Sequence, residues 1–219
     1  MTTPRAALFD MDRTLVRKET ATLFVRYQRD RGEATWKDMV RALYWVTQYT
    51  LGIVDAPAVA EKALRPFKGT TEKALADKCA ECFVAYVQEH VCEAGRAAVA
   101  KHRARGDVVA IVTGATRYGA RPVAEHLGIE HVVASDLEVT PEGLLTGRFV
   151  PPLCYGTGKI ERTQRLADQL GFALADATFY SDSLTDLPLL ERVREPVCVN
   201  PDPRLLRVAK KRGWRVERW

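Results

Sequence analysis

"AALFDMDRTL", residues 6–15, is the stretch from which the rest of the chain can be read. Its first four residues are apolar without a break, which fits a strand covered on both faces in a parallel sheet. Two carboxylates, Asp10 and Asp12, follow where that strand would end, and Thr14 comes two residues later. Arg13 stands between Asp12 and Thr14, where a turn would more naturally take glycine. Arg13 is expected at an ordinary φ, facing the neighbouring helices or solvent, with a salt bridge to those helices as the alternative.

Four further apolar runs continue the pattern: "VVAIVT" (108–113), "HVVAS" (131–135), "ATFYS" (177–181) and "PVCVN" (196–200). Helical patterns lie near 94–105, 117–127, 159–170, 184–193 and 203–212, and Gly106, Gly128 and Gly171 sit where C-cap glycines belong. This alternation predicts an α/β fold, a doubly wound, mostly parallel Rossmann-like sheet. Residues 136–150 read instead as a β-hairpin turning at Pro141–Gly143.

One spacing is abnormal. Residues 11–107 separate the first two strands, whereas a strand–helix–strand crossover needs only about 30 residues. The surplus is helical in pattern, so a helical cap domain is expected over 17–90, inserted into a core formed by 1–16 and 91–219. It leaves the sheet at the carboxyl ends of the strands, where ligands bind in such folds. The apolar stripe Tyr44, Trp45, Val46 and Leu51 reads as cap core.

The same strand ends carry the polar residues. Asp10, Asp12 and Thr14 follow the first strand, Thr113 and Gly114 end the second before a helix, and Asp182 and Asp186 follow the fourth; Lys159 opens the preceding helix. Four carboxylates, a hydroxyl and an ammonium would then share one crevice. Carboxylates so crowded call for a hard cation, and oxygen ligands suit magnesium. A cation, a lysine and a helix N-terminus together suit a phosphate.

In order, "FDMDRTL", "VTG" (112–114), Lys159 and "YSDSLTD" (180–186) resemble the four motifs of the haloacid-dehalogenase-like (HAD) phosphatases. The helical insert after the first motif and the ending "VNPDPRLLRVAKKRGW" resemble the phosphoserine-phosphatase-like branch, subfamily IB, with its C1-type cap. The resemblance implies a Mg2+-dependent phosphomonoesterase in which Asp10 is the nucleophile and Asp12 the acid and base. It implies metal held by Asp10, the Asp12 carbonyl and Asp182, and phosphate held by Thr113, Lys159 and amides near Gly114. Thr14 would fix the loop, and Asp186 and Ser183 would support Lys159 or a metal-bound water. Glu19, nine residues after Asp10, resembles the glutamate that faces an amino group of the substrate, and Arg65 is the candidate for a substrate carboxylate. The implied partner is a small phosphorylated metabolite, such as phosphoserine or histidinol phosphate.

Composition is that of a soluble globular protein, 47 % hydrophobic and 28 % charged, with a net charge of +5. The basic cluster Lys210, Lys211, Arg212, Arg215 and Arg218 reads as a solvated helix end, so no nucleic-acid partner is expected. Five cysteines without an export signal read as reduced thiols in a cytoplasmic protein. Cys79, Cys82, His90 and Cys92 could supply zinc ligands, but a CxxC inside a continuous helix over 74–91 more often packs its sulfurs as small hydrophobes. The alternatives are phosphotransfer to an acceptor other than water, or a non-catalytic nucleic-acid-binding module whose acidic crevice is vestigial.

Overall fold

The computed structural model describes residues 4–50 and 61–219, without seven of the side chains in 41–50. Six strands form one parallel sheet in the order β3-β2-β1-β6-β7-β8: β1 Ala6–Phe9, β2 Val108–Thr116, β3 His131–Ser135, β6 Thr178–Ser181, β7 Glu195–Val199 and β8 Arg215–Glu217. The uninterrupted apolarity of β1 is explained by what lies on each side. Ala7 and Phe9 enter one buried cluster, Ala6 and Leu8 the other, and all four are at most 2 % exposed. The chain runs outward from β1 to β3 in one direction and from β6 to β8 in the other. Crevices for ligands open at such a reversal, above β1, β2 and β6.

The helices of the sheet region are α4 Glu93–Ala104, α5 Arg117–Leu127, α6 Thr157–Leu170, the short α7 Leu187–Leu190 and α8 Pro203–Arg212, preceded by α1 Thr20–Asp30, α2 Trp36–Thr50 and α3 Glu72–Cys82. Gly128 and Gly171 cap α5 and α6 in the left-handed conformation, as their places in the sequence suggested. The expected helix at 184–193 is instead a 3-10 turn, Leu184–Asp186, followed by α7. Ser183 turns back to accept the Thr185 N–H, and Pro188 fixes a fresh start in α7. The continuous helix expected over 74–91 is likewise divided: α3 passes into a π-helical turn, Phe83–Val87, and then a 3-10 turn, Gln88–His90.

Helices α1 to α3 all lie between β1 and β2, as the long spacing required. The segment leaves and rejoins the sheet through paired backbone, with Val16 bridging Val91 and Arg17 N–H donating to the His90 carbonyl at 2.9 Å. Of the apolar stripe expected as its core, Leu51 and the side chains of Trp45 and Val46 lie outside the described residues. Tyr44 is exposed rather than buried. The hairpin β4 Leu137–Val139 and β5 Leu145–Phe149 forms as expected, and its partner was not foreseen. It packs Leu137 and Leu145 against Leu64, Leu75 and Cys79, and exchanges backbone hydrogen bonds with Gly69, Thr70 and Glu72. Among the described residues no helix is long and apolar enough to cross a membrane. The cations Lys210, Lys211 and Arg212 occupy the last turn of α8, where they complement its dipole.

Candidate active site

Asp10 follows β1 directly, tied by its N–H to the Tyr180 carbonyl of β6 at 2.9 Å. It is 7 % exposed, and its Oδ1 accepts from Lys159 Nζ at 2.7 Å. Lys159, in the first turn of α6, also donates to Asp186 Oδ2 at 2.8 Å, which accepts from Ser181 Oγ at 2.8 Å as well. Burial pushes the Asp10 carboxyl up to about 7 although Lys159 pulls it down, and Asp186 adds to the rise. The two carboxylates outweigh the burial of Lys159 and hold its ammonium well above the ordinary lysine value.

Asp12 is placed differently. Its Oδ1 accepts the Thr20 N–H at 2.7 Å, so it satisfies a free donor at the start of α1. Glu19, the N-cap residue itself, makes no side-chain cap. Burial pushes Asp12 up to about 7, with repulsion from Glu19 next in size. Asp182 is 5 % exposed and faces the same crevice. Burial and the nearby Asp10 and Asp186 raise it far above the ordinary range.

These groups line one cavity of about 80 Å³, together with Glu19, Thr113, Gly114, Ser183 and Tyr155. That is room for two or three waters, the scale of a phosphoryl group. Among the described residues no three acidic, histidine or cysteine side chains are gathered into a ready-made metal cage. The donors present are sparser and hard: Asp10 and Asp182, which both line the cavity, and main-chain oxygen. Four carboxylates (Asp10, Asp12, Asp182 and Asp186) face one buried ammonium, so this donor set and its charge fit a divalent cation with water completing its shell.

Several expectations need correction. Strand β2 does not end at Thr113 but runs to Thr116, with a register break after Val112, and α5 begins only at Arg117. The amides near Gly114 are therefore not helix-terminal. The Ala115 N–H is already taken by Thr113 Oγ1 at 3.1 Å, and the α5 cap is Thr116. Thr14 is 1 % exposed, but its hydroxyl has no hydrogen-bond partner; the loop is held instead by Met11, whose carbonyl accepts from Thr14 and Val16. Arg65 is exposed in a 3-10 turn and does not line the cavity. Arg13 has φ +58°, not an ordinary value, because the tight loop around Met11 demands the left-handed region. The alternative, a salt bridge, is what forms: Arg13 Nε lies 3.0 Å from Glu19 Oε1. Cys79 and Cys82 are buried in apolar clusters, where burial pushes their thiols up to about 12 and about 11.

Ser181 was missed. It is fully buried, donates to Asp186 and accepts the Ser183 N–H, so it fixes the turn carrying both aspartates. Its only signal was its position at the end of an apolar strand.

The chain matches the model of the haloacid dehalogenase-like hydrolase family over residues 7–191. It is 30 % identical to a histidinol-phosphatase of Neisseria meningitidis serogroup C (strain 8013), over 96 % of both chains. It is 31 % identical to phosphoserine phosphatase SerB1 of Mycobacterium tuberculosis (strain ATCC 25618 / H37Rv), covering 96 % of this chain and 70 % of the relative. A crystal structure from Bordetella pertussis Tohama I, of a protein with unknown function, superposes with a TM-score of 0.88 at 31 % identity, covering 99 % of each chain. With the acidic crevice and this match along most of its length, the chain belongs to the haloacid dehalogenase-like hydrolase family.

Proposed function

We propose that this hydrolase is a Mg2+-dependent phosphomonoesterase of the cytoplasm, acting on a small phosphorylated metabolite through an aspartyl-phosphate on Asp10. The observation that carries the reading is the convergence of Asp10, Asp12, Lys159, Asp182 and Asp186 on one phosphoryl-sized cavity. Segment 17–90 acts as a cap domain over the core. Asp10 and Asp182, with the Asp12 carbonyl, would hold the cation, which screens the carboxylates from the phosphate and stabilises the transferring group.

The Asp10 carboxylate attacks phosphorus while the ester P–O bond breaks, and Asp12 gives its proton to the leaving oxygen. Asp12, now ionised, takes a proton from water as that water attacks the phosphoryl group, releasing inorganic phosphate and restoring Asp10. A carboxyl pushed up to about 7 suits Asp12 to both halves, since it gains and loses a proton near neutral pH. Lys159 neutralises Asp10 and Asp186 and faces the phosphoryl oxygens with Thr113. Glu19 at the mouth, together with the histidinol-phosphatase and phosphoserine phosphatase among the relatives, supports an amino-bearing phosphate as substrate.

Hydrolysis of p-nitrophenyl phosphate with Mg2+, measured for the wild type and Asp10→Asn, tests the assignment. The variant is expected to remain folded and to lose turnover by at least about a thousandfold. Equal turnover in the two proteins would remove Asp10 as nucleophile.

A further inference from the structure

Glu19 lines the cavity and pairs with Arg13, which stands behind it outside the lining, and the catalytic steps use neither residue. Glu19 is the N-cap residue of α1, yet its carboxylate leaves that role to Asp12 and turns toward Arg13. Its side chain is 21 % exposed, that of Arg13 is 52 % exposed, and Glu19 lines the cavity. Among the described residues, the terminal nitrogens of Arg13 donate to no other side chain. A non-glycine residue is held here at φ +58° although it costs conformational energy.

We propose that Arg13 is a specificity-determining residue: seated on Glu19, it takes the place a substrate ammonium would fill and turns the mouth toward phosphate esters whose leaving group bears a carboxylate. An amine alone has to displace the guanidinium from Glu19. A carboxylate instead meets the free, planar donors that guanidinium groups offer to anions. The inference rests on the phosphatase reading and narrows it, because a leaving group with an amine and a carboxylate is favoured over one with an amine alone.

The test uses p-nitrophenyl phosphate turnover as readout and three competing phosphate esters: phosphoethanolamine (ammonium), phosphoglycolate (carboxylate) and ethyl phosphate (neither). Each inhibition constant is divided by that of ethyl phosphate in the same protein. Arg13→Gly suits the positive φ, so the loop keeps its shape. A partly exposed pair is worth up to about fivefold in binding. Phosphoethanolamine should therefore tighten, and phosphoglycolate weaken, by up to that factor. Their ratio should shift by at least about twofold, and by as much as about 25-fold. Arg13→Lys, which keeps the charge, should stay nearer the wild type than Arg13→Gly does. A smaller shift, a common drift of both ligands, or a lysine variant that behaves like the glycine variant would overturn the proposal. Absence of wild-type turnover would instead overturn the phosphatase reading, so the two failures are distinguishable.

Discussion

Replacing Lys159 by methionine isolates the electrostatics of the site, because the stem keeps its length and only the ammonium is lost. That ammonium lies 2.7 Å from Asp10 Oδ1 and 2.8 Å from Asp186 Oδ2, and the three residues are 3 %, 7 % and 2 % exposed. Removing one partner from a buried ion pair costs about 3–5 kcal/mol, since the remaining charge is left uncompensated. For a chain of this size 1 kcal/mol moves Tm by about 2–4 °C, so a fall of roughly 6–20 °C is expected near pH 8.

The fall should shrink in acid, and the sign follows from linkage. Asp10 stands at about 7 in the folded state with Lys159 pulling it down, so the methionine variant carries it higher still. A carboxyl raised on folding binds more protons in the native state than in the unfolded one, whose ordinary value is about 3.9. Stability therefore drops as pH rises from about 4 through the folded value, and the full penalty applies above it. At pH 5 Asp10 is protonated in both proteins, so its share of the deficit is absent. That share builds up above the wild-type value of about 7 and reaches at most about 1.4 kcal/mol by pH 8, so the deficit at pH 5 should be smaller by about that amount. Thermal unfolding in EDTA, which keeps metal from replacing the ammonium, measures both. A double variant with Asp186→Asn should recover about 1–3 kcal/mol at pH 8, the coupling typical of residues in one network. A deficit under 1 kcal/mol at pH 8, or the same deficit at pH 5 and pH 8, would refute the reasoning.

Asp12→Asn should stabilise the protein at pH 8 and much less at pH 5, because Asp12 too is raised on folding, to about 7. The full shift is worth about 4 kcal/mol, and partial exposure reduces it to roughly 2 kcal/mol, or about 4–8 °C in Tm; a variant that melts below wild type at pH 8 would contradict this. Gly158→Ala drives a Cβ into the Leu153 carbonyl oxygen, directly beside Lys159. A loss of about 1–3 kcal/mol or more is expected in denaturant unfolding, together with reduced turnover as Lys159 shifts, whereas wild-type stability would show that the 153–158 loop yields freely.

How far the sequence discloses such a molecule depends on whether a feature is local. The five apolar runs announce the central strands because each is buried on both faces, and that demand is written on consecutive residues. β8, "RVE", is short and polar, and it is a strand only because β7 offers it an edge, with Val216 in register with Cys198. Likewise nothing in residues 69–72 or 143–145 shows that they pair, since that contact joins segments some 75 residues apart and neither carries the pattern alone. The site divides in the same way. Asp10, Lys159, Asp182 and Asp186 are legible because strand ends in a parallel sheet must converge, so topology turns sequence position into proximity. Thr14, Gly114 and Arg65 depend on a single torsion, a register break or the set of a turn, and no convergence rule reaches them. Arg13 is the instructive case. Its identity broke the local pattern of the loop, and the break itself was visible, whereas the pairing with Glu19 needed φ +58° to aim the side chain. A residue that violates the local rule while its neighbours obey it marks where chemistry peculiar to this chain has been added to a shared catalytic frame.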